Sequence, residues 1–341
     1  MRVLIDIGHP AHIHLFKNIA LRLINEGHQV LFTCRDRKNI KYLLEYYGFN
    51  YVVLGKHRAS IYGKLFNLLF INYNLLNISL KFKPDIYLSN GSMFAAFIAF
   101  LLHKTNIIHE DTGNMEQIIF YLPFTKYIIT PKAIQVDFGR KQIKYEGFQE
   151  SFYLHKNYFQ PNPDILHKYG IDYNTPYLLL RFVNYNASHD IGYKTLNINQ
   201  IIQLIKELAK NYELFISYEG RLPHYLKKWG REFFPEDAHN LLAFSKAYIG
   251  QSATMASEAA HLNTPAIFIK SKNEKTEGVI DYLNSHNYIK TIEYSSHQID
   301  DILYSLNEMV GKSIPDIQQE ICDPNELLYD AMFNPFKYWK I

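Results

Sequence analysis

Residues 249 to 268 read IGQSATMASEAAHLNTPAIF, and the middle of that stretch has the chemistry of a diphosphate site. Gly250, Ser252, Ala253 and Thr254 stand where a helix begins, and Glu258 follows about one turn later. A helix start carries N–H groups without intrahelical partners and the positive end of the helix dipole, so phosphate is favoured there. Small side chains let a diphosphate approach the backbone, and the hydroxyls of Ser252 and Thr254 can donate to it. Glu258 could accept from two vicinal ribose hydroxyls. The same residues equally describe a capped core helix with a solvated glutamate, and on residue chemistry the two readings stand level.

Four other stretches carry polar residues of useful kinds. DIGHPAHIHLF sets His9, His12 and His14 around a Gly-Pro turn, and a histidine there could take a proton from an acceptor hydroxyl. His12, beside the expected helix start, is the preferred base, although any one of the three could equally cap the helix or lie on its surface. Without Cys or further paired ligands, a zinc site is not expected. SNGSMFAAF places Gly91 and Ser92 before a small-residue helix, where backbone N–H groups could bind an anion or a sugar hydroxyl, though Ser-Asn-Gly is also ordinary turn chemistry. IIHEDTGNM brings His109, Glu110, Asp111 and Asn114 to one strand end, as an acid–base site or as a polar rim. RFVNYNASHDIG offers Arg181, Ser188 and His189; Arg181 could fork onto a diphosphate or pair with an acid such as Glu219.

These loops need elements to hold them. RVLIDI, QVLFTC, FNYVVLG, DIYLSN, TNIIHED and YIITP are apolar, β-rich runs, and helix-period segments separate them. Strands alternating with helices imply right-handed crossovers and a parallel sheet covered on both faces. YIITP is expected to be the last strand of the first sheet. Residues 145–165, polar and aromatic with two prolines, read as a linker between domains. A second alternation follows through PYLLLRFV, QIIQLIKELAK, YELFISYEG, LLAFSKAYIG and PAIFIK. The fold class is therefore α/β: two doubly wound parallel-sheet domains facing each other across a cleft. The domains are expected at 1–155 and 156–310, with a helical tail at 311–341 packing back on the first. In such sheets ligands bind outside the carboxyl ends of the strands, where all five polar stretches fall.

At 341 residues the chain suits two domains, and 48% apolar against 20% charged residues excludes a disordered chain. A net charge of +3 with no basic stripe argues against nucleic acid. Cys34 and Cys322 lie in unrelated segments, so reduced thiols and a cytoplasmic protein are expected. The longest apolar run, MFAAFIAFLL, is half of the roughly 20 residues a bilayer span needs. Residues 61–83 are apolar and aromatic with lysines at the ends. That run suits peripheral contact with a membrane, and equally a helix buried in the first domain.

PEDAHNLLAFSKAYIGQSATMASEAAHLNTPAI (235–267) resembles a family described only as a domain of unknown function, whose members are similar to GT-B glycosyltransferases and to non-hydrolysing UDP-N-acetylglucosamine 2-epimerases. IDIGHPAHIHLFKNIALRLINEGHQV and ISYEGRLPHYLKKW (216–229) share the likeness, which runs over residues 1 to 295. The resemblance implies two Rossmann-like domains of the GT-B type, the second gripping a nucleotide-sugar donor. It assigns the diphosphate to Gly250, Ser252 and Thr254 and the ribose to Glu258, with Arg181, Ser188, His189, Glu219, His239, Ala253 and Met255 also on the donor side. His12, Glu110 and Asp111 become the catalytic candidates, and His9, Gly91, Ser92 and Asn114 lie toward the acceptor, a glycan or lipid-linked sugar. Residues 85–114 resemble an epimerase segment ending in His-x-Glu-Ala-Gly, but here His109 and Glu110 are adjacent. GT-B enzymes generally need no catalytic metal, and this chain has no Asp-x-Asp motif. No cofactor is expected; the nucleotide-sugar is a substrate.

Overall fold

Val3, Leu4, Ile5 and Ile7 are wholly out of solvent, so the opening strand β1 (Arg2–Ile7) is covered on both faces. Apolar runs of this kind pay for their backbone only inside a parallel sheet with helices on each side. The computed structural model, which describes residues 1–55, 61–183, 195–218, 224–272 and 278–334, builds two such sheets in two separate units.

The first unit comprises Met1–Tyr158 and the chain from Ile321 onward. Its sheet contains β1, β2 (Gln29–Arg35), β3 (Tyr51–Gly55), β4 (Ile86–Asn90), β5 (Thr105–His109), β6 (Tyr127–Pro131) and β7 (Gln142–Tyr145). The order is β3-β2-β1-β4-β5-β6-β7, parallel throughout. Thus Tyr127–Pro131 is not the last strand. The short edge strand β7 follows it, held by Gln142, whose buried amide donates to Thr130 Oγ1 (2.8 Å) and to the Val136 carbonyl (3.0 Å).

Residues expected to form a linker also belong partly to this unit. The helix Ser151–Leu154 is buried along its whole length, and Asn18 and Asn325 both donate to the Phe152 carbonyl (2.7 and 2.8 Å). Aromatic residues that read as linker composition are core. Asn325 opens the helix Pro324–Phe333, which packs on the helix Pro10–Asn25. There Arg22 pairs with Glu326 at 2.7 Å and lies over the Tyr329 ring, while Tyr329 donates to Glu26 (2.7 Å).

The second unit, Phe159–Glu320, contains β8 (Tyr177–Phe182), β9 (Glu213–Tyr218), β10 (Ala247–Gly250), β11 (Ala266–Ile269) and β12 (Lys290–Ile292). The order is β12-β11-β10-β8-β9, again all parallel. Leu178, Leu180, Ile249 and Ile267 pack with the helices Ile198–Leu208 and Gln298–Met309 into one core. Among the described residues no helix is long and apolar enough to cross a membrane.

Candidate functional site

In each sheet the strand order reverses once, between β1 and β4 in the first and between β8 and β10 in the second. Crevices open at the carboxyl ends of strands at such switch points. In the first sheet the parallel register sets Asp6 beside Ser89 and Asn90 beside His109, so the loops after β1, β4 and β5 meet.

Their centre is an assembly with no signature in the sequence. Asp6, 1% exposed, receives both guanidinium nitrogens of Arg35 at 3.2 Å, Thr33 Oγ1 at 2.7 Å and Ser92 Oγ at 2.5 Å. A buried carboxylate is tolerated only with such saturation. Ser92 also caps the helix Met93–Leu101 by accepting from Ala95 N (3.2 Å). Its hydroxyl thus fixes a helix start, a structural duty alongside the acceptor-side role expected for it.

His9 is the N-cap of the helix Pro10–Asn25 and accepts from Ala11 N. His12 lies within that helix, in its first turn rather than before it. Its Nδ1 accepts from Gly8 N (3.3 Å) and its Nε2 is 3.2 Å from Asn90 Nδ2. Asn90 Oδ1 lies 2.9 Å from His109 Nδ1, and His109 Nε2 lies 3.0 Å from the Tyr145 hydroxyl. Burial lowers both histidines to about 3, helped for His12 by neighbouring His9 and His109. Both rings are therefore neutral at pH 7 and hold an added proton weakly. Burial, with the charge of Asp111 next, pushes the Tyr145 hydroxyl well up, so it stays protonated.

Glu110 and Asp111, adjacent in sequence, have opposite surroundings. Glu110 is 5% exposed and accepts from Thr112 N (2.6 Å), Thr112 Oγ1 (2.5 Å), Gly113 N (3.0 Å) and the Tyr121 hydroxyl. With that many donors it anchors the loop after β5, which argues against a proton-accepting role. Gly91 closes the neighbouring turn at φ +59, and a Cβ there would sit 3.6 Å from Glu110 Oε2. Asn114 caps the short helix Met115–Ile118 by accepting from Glu116 N. Asp111 is partly buried, and burial, then the charge of Glu110, raises its carboxyl to about 7 despite a hydrogen bond from Asn90. A carboxyl raised to that range lies near neutrality, where an acid–base group works best.

In the second sheet the switch point falls at the mouth of the helix Ala253–His261, directly after β10. Ser252 caps this helix, its Oγ accepting from Met255 N (3.3 Å). The buried Tyr248 hydroxyl receives Ser252 N (3.2 Å) and donates to the Ser252 carbonyl (3.1 Å), which fixes the approach to the helix. Gln251 ties the same turn to β8, donating its backbone N–H to the Arg181 carbonyl and accepting from Val183 N, both at 2.9 Å. Among the described residues the N–H groups of Ala253 and Thr254 have no partner, and residues 252–255 are partly exposed.

Gly250 serves packing: a Cβ there would lie 2.5 Å from Tyr248 Oη and 2.6 Å from the Arg181 carbonyl. Gly250→Ala is expected to cost about 1–3 kcal/mol of stability in urea unfolding. An unchanged midpoint would show that Tyr248 gives way without cost.

Glu258 is 6% exposed, not a solvated surface acid, and its Oε1 lies 3.1 Å from Nε2 of the equally buried His239. Phe159 meets His239 edge-on with ring centroids 6.1 Å apart. Arg181 donates to Ser217 Oγ (2.6 Å). Ser188, His189 and Glu219 lie outside the described residues. Missing from the sequence reading were Asp6, Arg35, Asn90, Tyr145, Tyr248 and Gln251. A polar residue at the last or next-to-last position of an apolar strand is the signal that would have found Asp6 and Asn90.

Solved structures share this architecture. A UDP-GlcNAc 2-epimerase from Methanocaldococcus jannaschii, in complex with UDP-GlcNAc and UDP, superposes with a TM-score of 0.71 at 13% identity, covering 98% of this chain and 100% of that one. The spinosyn rhamnosyltransferase SpnG, complexed with spinosyn aglycone, gives 0.65 at 12% identity over 97% and 100%. The fold is thus that of two Rossmann-like domains of the GT-B type. In sequence the chain is 27% identical over 347 residues to an uncharacterized protein of M. jannaschii, spanning 98% of each. Residues 1–337 match the family described as "Protein of unknown function (DUF354)", and the chain belongs to that family.

Proposed function

We propose that this DUF354 protein is a glycosyltransferase that moves a sugar from a nucleotide-sugar, in the first place a UDP-sugar, to a hydroxyl of a glycan or lipid-linked acceptor in surface-polysaccharide or glycoconjugate synthesis. The observation that carries the reading is the helix mouth at the second switch point. It presents two unpartnered N–H groups among the described residues, small side chains around them, and Glu258 one turn behind, braced by His239. The diphosphate lies against Ala253 and Thr254, and the ribose hydroxyls donate to Glu258. As the bond to the anomeric carbon breaks, charge grows on the departing diphosphate, where the helix dipole and the N–H donors stabilise it.

The first unit binds the acceptor and supplies the base. Asp111 takes the proton of the attacking hydroxyl, because a carboxyl near 7 both ionises at neutral pH and holds the proton it receives. His12, at about 3, is too weak a base for that step. It serves with Asn90 and His109 as part of the polar wall positioning Asp111.

The likeness to UDP-GlcNAc 2-epimerases supports a second reading, in which two acids exchange a proton on the sugar. Glu110 weighs against it, since Thr112 and Gly113 already donate to its Oε1 and the Tyr121 hydroxyl to its Oε2, so both oxygens are engaged in anchoring the loop.

Incubation with UDP-N-acetylglucosamine separates the readings. A transferase releases UDP slowly alone and at least about tenfold faster with a glycan or lipid-linked acceptor. An epimerised sugar nucleotide would replace the proposal with the epimerase. Bound nucleotide with neither product, even with acceptor extracts, would leave a catalytically silent binder.

A further inference from the structure

We propose that the first unit docks on an anionic lipid bilayer through the side of its sheet covered by the helices Ile61–Phe82, Met93–Leu101 and Met115–Ile118. These helices lead from β3 to β4, β4 to β5 and β5 to β6, all in one direction along the sheet. Right-handed crossovers therefore set them on a common side, whereas Pro10–Asn25 and Lys38–Tyr46 run the opposite way and cover the other.

The first two helices each bury one stripe. Ile71 and Leu75 pack with Ala95, Ile98 and Ala99 over Leu4 and Tyr87. The outward stripe of a solvated helix is normally charged; here it is apolar. Leu69 is 64% exposed, Tyr73 63%, Phe100 56% and Phe120 57%. Phe97 and Phe100 each meet Phe124 with centroids 5.4 Å apart, so the apolar surface continues from the second helix toward the third. Large apolar residues exposed on neighbouring helices mark an interaction surface.

Charge selects the partner. Between residues 61 and 109 the chain has four lysines and one acid, Asp85, whose carboxylate accepts the Arg2 N–H at 2.8 Å, and the third helix adds one exposed acid, Glu116. The exposed Lys83, Lys104 and Lys126 stand within three residues of the starts of β4, β5 and β6, which are neighbouring strands. Lys126 Nζ reaches Thr105 Oγ1 at 3.3 Å, confirming how close these strand starts lie. The result is a cationic row along one end of the sheet, bordering an aromatic surface. Anionic lipid matches both parts: lysines meet headgroup phosphates while Tyr73, Phe100 and Phe120 enter the headgroup–acyl boundary. The lysine row lies at the opposite end of these strands from Asn90 and Asp111, and the proposal does not rest on the transferase reading.

Vesicle flotation of the full chain tests it. The protein should float with vesicles of phosphatidylcholine containing about a third phosphatidylglycerol, and stay behind with phosphatidylcholine alone. Two variants should each lose at least about tenfold of the bound fraction: Tyr73→Ser/Phe100→Ser/Phe120→Ser, and Lys83→Glu/Lys104→Glu. The lysine pair is exposed and keeps the test valid if the aromatic variant folds poorly. Equal flotation with both lipids, none with either, or undiminished binding by the lysine variant would overturn the proposal. So would sedimentation showing a dimer that the lysine variant converts to monomer, since the face would then be covered by a second copy.

Discussion

Glu258→Ala should abolish nucleotide binding and cost about 2 kcal/mol of stability, because it removes a buried side chain and its hydrogen bond with His239. Those two losses must be separated, and Glu258→Gln does so. Glutamine keeps the shape and can still accept from His239, so unfolding in urea should stay within about 1 kcal/mol of the parent. It brings only one acceptor oxygen, without charge, to two ribose hydroxyls. UDP affinity measured by calorimetry should therefore fall at least about tenfold, roughly 1.4 kcal/mol. If UDP binds the glutamine variant as tightly as the parent, Glu258 is a core acid paired with a histidine, and the nucleotide site lies elsewhere.

Asp111→Asn is expected to lower transfer by about a thousandfold while stabilising the fold in alkaline solution. Both effects follow from a carboxyl raised from 3.8 to about 7. The rate of the parent should climb with pH through about 7 as the base form appears, and the residual rate of the variant should lose that limb. For stability the sign runs the other way. Between 3.8 and 7 the folded chain holds a proton on Asp111 that the unfolded chain has released, so this group's stabilising contribution is full below 3.8 and gone above 7. Asparagine removes the cost of the partly buried charge, and at pH 8 the variant should gain on the order of 2 kcal/mol. Unaltered activity with the same pH limb would remove Asp111 from the reaction. A variant both inactive and less stable at pH 8 would make it a structural acid.

The sheets were legible because buried parallel strands are written as uninterrupted apolar runs. β7 was not: its four residues include Gln142 and Lys144, and its place at the edge comes from one amide satisfying Thr130 and Val136. The stretch 145–165 misled through its prolines and polar residues, while Phe148, Phe152 and Tyr153 within it are buried. Helix starts were readable from Ser92 and Ser252, both observed as caps. Their partners were harder, because sheet register decides them: Asp6 reaches Thr33 and Arg35 only once β1 and β2 pair. Nothing local distinguishes Glu110 from Asp111. The difference is the conformation of Thr112 and Gly113, which turn their N–H groups onto one carboxylate and not the other. Asn263 adopts φ +55 after the helix Ala253–His261, a conformation asparagine accepts.

The helix Pro324–Phe333 completes a unit whose other residues end at Tyr158. During synthesis, therefore, the second unit emerges whole and can fold as soon as it clears the ribosome, whereas the first, though made earlier, must wait. Until Asn325 and Glu326 arrive, the carbonyl of Phe152 lacks one donor and Arg22 one carboxylate. The unit begun first is completed after the second, and its maturation waits for the helix Pro324–Phe333 to emerge.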